Sequence, residues 1–157
     1  AAMNLAAKHP DQFRQVLSFS GYLTTTLPGM QTLLRVAMLD AGGYNINAMY
    51  GSLLSPSRFE NDPFLNMHGL RNTDVYISAA SGIPGPADAG YLPQHQLAGS
   101  ALEIGALASS RIWEGKARLT GINVTTDYPP LGLHNWKEFG GQMVKTKARV
   151  LNHMNAW

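Results

Sequence analysis

The chain has 157 residues, 45% of them apolar and 14% charged, with a net charge of +2 and no cysteine. This is the composition of one globular domain with a low-charge surface, and it excludes an intrinsically disordered segment. Lysine and arginine are not clustered, which excludes a basic nucleic-acid interface; the missing thiols exclude disulfides, thiolate metal sites and cysteine nucleophiles.

Ala1 to Lys8 is alanine-rich and strongly helical by propensity. It opens without an N-cap residue, so a preceding segment is expected upstream. Gln15 to Leu23 reads as a short buried strand and Thr24 to Pro28 as a turn. Met30 to Leu39 carries apolar residues at helical spacing. Asp40 to Pro63 is rich in Gly, Asn, Ser and Pro and reads as a long irregular excursion, of the kind that is functional or forms a lid. Thr73 to Gly82 predicts a second buried strand. Ile83 to Pro93 is a proline-rich loop holding Asp88, and Gln94 to Trp113 a long helix containing Glu103. A third strand falls within Ala117 to Asp127. The final helix runs to Trp157, with Phe139, Met143, Val150, Met154 and Trp157 on one stripe that reads as packing.

Helices and strands alternate, which predicts an α/β protein with a mostly parallel sheet. Three strands make a poor sheet of this type, so part of the sheet is expected to lie outside these residues. No apolar run is long enough to span a bilayer. The histidines form no H-E-x-x-H pair, and neither metal nor cofactor is expected.

The candidate for chemistry is His134. It lies in Tyr128-Pro129-Pro130-Leu131-Gly132-Leu133-His134-Asn135-Trp136, a loop stiffened by two prolines and bent at Gly132, between the last strand and the last helix. A histidine there has the position of the general base in α/β-hydrolase folds, where the order along the chain is serine, acid, histidine. Asp88, Glu103 and Asp127 are candidate acids on order alone. Asp88 directly follows the second strand, and Glu103 sits on a helix; the residues by themselves leave these two open. The nucleophile has no candidate of the right kind. There is no G-x-S-x-G, and Ser18 and Ser20 lie in a strand-like run without the strained turn that exposes a nucleophile. The elbow is expected just before Ala1, with Ala1 to Ala7 as the small-residue helix that follows it.

Several segments together resemble one family. They are AAMNLAAKHPDQF at the start, LSFSGYL in the first strand, AMLDAGGYNINAMYG from Ala37 to Gly51, ENDPF from Glu60 to Phe64, SALE from Ser100 to Glu103, and YPPLGLHNW. In this order and spacing the chain resembles the C-terminal half of the mycolyltransferases, the antigen 85 proteins of mycobacteria and, more closely, the trehalose corynomycolyl transferases of corynebacteria. The resemblance implies that residues 1–157 are the C-terminal portion of one α/β-hydrolase domain whose N-terminal portion is a partner. It implies transfer of mycolyl groups between trehalose esters and to arabinogalactan through a serine, a glutamate and a histidine. Glu103 and His134 fall on the family glutamate and histidine. The serine and the oxyanion-hole donors fall upstream, so this segment alone is expected to be inactive. Ala79 stands where the family has a cysteine, so inhibition through that thiol is not expected. Trp136 is a candidate stacking face for the sugar, or equally a packing residue at the start of the helix. Secretion to the cell envelope is implied, with a signal segment in the missing half. The alternatives are a secreted serine carboxylesterase of the same fold and a non-catalytic envelope or adhesion protein.

Overall fold

The computed structural model describes residues 1–156. Strands β1 (Gln15–Phe19), β2 (Asp74–Ser78) and β3 (Val124–Asp127) form one parallel sheet in the order β1-β2-β3. The α-helices are α1 (Ala2–Lys8), α2 (Met30–Gly42), α3 (Ile46–Tyr50), α4 (Pro56–Glu60), α5 (Pro63–Asn66), α6 (Pro93–Leu119) and α7 (Trp136–Met154). The expected α/β class is the observed one.

Side chains alternate across the sheet, as the pleat requires. Val16, Val75, Ile77 and Val124 face one way and share a core with Met3, Ala6 and Ala7 of α1 and Trp113 and Ala117 of α6. The helix expected to end at Trp113 runs on to Leu119, because Ala117 lies one turn beyond Trp113 on the same buried face. The third strand, Val124–Asp127, falls within the segment expected for it. The first strand also ends earlier than its apolar run suggests, at Phe19, because Ser20 turns into the left-handed region with φ of 51°.

The opposite face of the sheet meets α7 through polar groups. Arg149 binds Asp74, Tyr76 donates to Gln142 at 2.8 Å, and Lys145 reaches Asp127 at 2.6 Å. The seam with the sheet is thus not made by the Met and aromatic stripe. The buried residues of the helix are Gln142 and Thr146, whereas Met143 and Met154 are mostly exposed. The sheet face below offers carboxylates and a phenol, so hydrogen-bonding side chains fill the seam and the apolar stripe lies to one side. Trp157, the last member of that stripe, lies outside the described residues.

The excursion from Asp40 to Pro63 is likewise not irregular. Asn45 accepts from the backbone N–H of Asn47 to cap α3, and Pro56 and Pro63 start α4 and α5, where a missing N–H costs nothing. Arg58 is buried and holds the turn by donating to the carbonyls of Ser52 and Gly51 and to the amide oxygen of Asn47. Asp62 is fully buried and ties the end of the excursion to the chain after β1: it accepts from the N–H and hydroxyl of Thr26 and from the N–H of Phe64. Replacing Asp62 by alanine strands these donors. Asp62→Ala is expected to lower unfolding free energy by about 2–4 kcal/mol, seen as a lower urea midpoint at unchanged slope. An unmoved midpoint would show that this junction is held by other contacts.

Candidate functional site

The loops that follow β2 and β3 stay zipped together beyond the sheet. Ala79 N–H donates to the Asp127 carbonyl at 3.3 Å, Ser81 to Pro129 at 3.1 Å, Gly82 to Gly132 at 3.0 Å, and Gly132 back to Ile83 at 2.8 Å. The proline contributes only its carbonyl, so its missing N–H breaks nothing. Gly132 has φ of 143°, and a Cβ there would lie 2.8 Å from both Ala80 Cβ and Glu138 Oε2. Only glycine fits this close crossing. Leu133 is then buried, and the His134 N–H donates to the Gly99 carbonyl at 3.2 Å. The next residue, Asn135, caps α7 by accepting from the N–H groups of Lys137 and Glu138. His134 is thus pinned on α6 from one side and on the helix cap from the other.

Its imidazole meets Glu103. The two are brought together from α6 and the β3–α7 loop, with His134 Nδ1 2.9 Å from Glu103 Oε2. Glu103 has no exposed surface, while the histidine side chain is 27% exposed. Its other carboxylate oxygen, Oε1, accepts from Ser20 Oγ and from the Ala80 N–H, each at 2.6 Å. A buried carboxylate is tolerated when its lone pairs are filled in this way. With Nδ1 committed to the carboxylate, Nε2 is the nitrogen left to exchange a proton with a substrate. Tyr22 donates to the Leu102 carbonyl beside Glu103; burial, and then the negative charge of Glu103, push its phenol up to about 12.

The other candidate acids lie elsewhere. Asp88 is buried, accepting from the Gly85 N–H and, at 2.7 Å, from the side-chain amide of Asn135. It holds the residue after His134, not His134 itself. Asp127 belongs to the α7 seam; burial would raise its carboxyl, but hydrogen bonds from Lys145 and Gln142 outweigh that and hold it below the usual range. Ser18 lies within β1, and Ser20 is buried with its hydroxyl on Glu103, so neither is presented to the imidazole as a nucleophile.

Trp136 is 84% exposed at the start of α7. It stands edge-on to Phe139 at 5.7 Å between ring centroids, and Phe139 stands edge-on to His134 at 5.0 Å. Phe139 therefore buttresses both rings. Sequence reasoning missed it by placing it in the packing stripe; its position one turn after Trp136 was the available signal. Asn135 and Ser20 were missed as supports, because their partners lie far along the chain. A cavity of about 180 Å³ opens beside His134, lined by Tyr91, His95, Gly99 and Leu133. Among the described residues, no three histidine, aspartate or glutamate side chains cluster to hold a metal ion.

Residues 1–150 match the family model described as putative esterase, and the chain belongs to that family. Among curated proteins it is similar to diacylglycerol acyltransferase/mycolyltransferase Ag85C of Mycobacterium leprae, with 30% identity over 99% of this chain and 46% of the relative. It is similar to Ag85A of Mycobacterium tuberculosis, with 32% identity over 99% of this chain and 46% of the relative. Among solved structures it matches the crystal structure of Mycobacterium tuberculosis MPT51 (FbpC1) with a TM-score of 0.80 and 25% identity, over 96% of this chain and 55% of that one. The chain spans about half the length of the curated relatives it matches.

One acidic group works against the fold here. Burial raises the Glu138 carboxyl, a hydrogen bond from Gln142 opposes this, and repulsion from Glu103, Asp127 and Asp88 adds to the rise. An acid raised on folding binds its proton more tightly in the native state. Its ionisation therefore costs stability as pH rises above the ordinary glutamate value of about 4.3. Glu138→Gln is expected to raise the melting temperature at pH 7, with the gain shrinking away as pH falls to about 4. A gain independent of pH, or none, would contradict this sign.

Proposed function

We propose that the complete protein is a serine-dependent acyltransferase. It moves mycolyl groups, of the corynomycolyl kind, between trehalose esters and onto cell-wall arabinogalactan. The observation that carries this reading is the buried Glu103 carboxylate on His134 Nδ1. In the proposed ping-pong cycle, His134 Nε2 takes the proton of a serine supplied outside these residues as that serine attacks the donor ester. The proton then passes to the departing sugar oxygen, leaving an acyl-serine. An acceptor hydroxyl gives its proton to His134 and attacks in turn, and the serine recovers its proton. Glu103 holds the tautomer and stabilises the imidazolium. Trp136 offers its open face to the sugar.

The similarity to proteins described as diacylglycerol acyltransferase/mycolyltransferase supports transfer, rather than hydrolysis alone. The protein would act outside the cell, at the envelope; no helix among the described residues is long and apolar enough to cross a membrane. The sheet would be completed by the rest of the protein. In support, β1 ends the sheet, and Leu17 and Phe19 with Met143, Val150 and Leu151 of α7 line an apolar groove of about 280 Å³ beside it. These residues alone would be inert.

In the complete protein, with a trehalose mycolate as donor and trehalose as acceptor, His134→Ala is expected to lower kcat by about four to six orders of magnitude and Glu103→Gln by about three to four. Near-normal turnover in both would overturn the assignment. Ester hydrolysis outrunning transfer at saturating trehalose would replace it with an esterase. Trp136→Ala is expected to raise the acceptor KM about three- to tenfold with little change in donor acylation. An unchanged acceptor KM would remove Trp136 from the sugar site.

A further inference from the structure

Ser20 is the first residue after β1, and it adopts a backbone conformation that serine avoids. Among the described residues, Asn155 is the other non-glycine with positive φ, and it ends α7, where that conformation is common. Ser20 ends no helix. Its conformation is imposed by its surroundings. Its N–H donates to the Ser78 carbonyl at 2.7 Å, one step beyond the β1–β2 ladder. The residues after it are stitched along α6: Tyr22 to the Leu102 carbonyl, and the N–H groups of Leu23 and Thr24 to Ser109 Oγ at 2.7 and 2.9 Å. Strain held in place by this many contacts is a reason to ask what the side chain does.

The hydroxyl is 2.6 Å from Glu103 Oε1, inside a residue that is only 4% exposed. It donates its proton to the carboxylate, so it is not a nucleophile. The same oxygen receives the Ala80 N–H. Two donors from the ends of β1 and β2 thus occupy Oε1, and Oε2 is left for His134 Nδ1. A carboxylate held at one oxygen by two fixed donors has little freedom to rotate about its terminal bond. We propose that Ser20 is a positioning residue: its hydroxyl fixes the rotation of the Glu103 carboxylate so that Oε2 presents itself to the imidazole. This rests on the reading of Glu103 and His134 as a catalytic pair.

The test uses Ser20→Ala and Ser20→Gly in the complete protein, with His134→Ala beside them. Both Ser20 variants lose the hydroxyl, but glycine also relaxes the left-handed backbone. Both are expected to lower kcat about tenfold to a hundredfold, with the KM for the acyl donor changed less than about twofold. Both are also expected to shift or broaden away the downfield proton resonance of the His134 Nδ1–H. Thermal stability should divide them, with Ser20→Gly the more stable. A shared loss of kcat that does not follow melting temperature therefore belongs to the hydroxyl. Wild-type kcat and an unmoved resonance in both variants, with His134→Ala inactive, would overturn the role of Ser20 and leave the proposed function standing. Normal turnover in His134→Ala would overturn the proposed function, and the resonance would then decide on Ser20 by itself.

Discussion

A carboxylate with no contact with water has to find every hydrogen bond inside the protein, and Glu103 finds its partners on three separate stretches of chain. Ser20 comes from the end of β1, Ala80 from just past the end of β2, and His134 from the loop after β3. Leaving such a group unpartnered costs several kcal/mol. The three strand ends must therefore arrive together around one residue of α6. The parallel sheet makes this possible, because its strands all finish on the same side, which is where open α/β sheets gather their sites.

The remaining architecture serves that convergence. The zipped loops after β2 and β3 extend the ladder past the sheet and deliver Gly132 to a crossing where no side chain fits. Asp88, the acid nearest the second strand in sequence, stabilises the structure one residue away from the imidazole by holding Asn135. Asn135 in turn caps α7, and α7 carries Phe139 against the ring of His134. The placing of His134 and the geometry of α7 are coupled through these few contacts.

The helix α7 shows how a mixed surface is shared out. Its seam with the sheet is polar, and its Met and Val side chains are left beside the open edge of β1. Under the proposed function, that apolar groove is the joint with further strands.

Much of this was legible in the residues. The alternation of helical and strand-like periods determined the α/β class and the parallel connections. The prolines, the glycine and the position after the last strand singled out His134. Local pattern misplaced the ends of β1 and α6, since apolar runs do not say where a backbone turns away or a helix continues. It also read the excursion as irregular, because short helices started by Asn and Pro have little periodicity of their own. The choice among Asp88, Glu103 and Asp127 was beyond local pattern too. All three precede the histidine, and which one meets it depends on how α6 lies across the strand ends. Ser20 was the least visible, an ordinary serine in an apolar run whose partner is 83 positions away. The sequence determined the elements and the histidine, because these follow from near neighbours. The resemblance pointed to Glu103 as the partner of the imidazole, but only the tertiary structure shows how the pair is held, because burying one carboxylate draws its partners from across the whole chain.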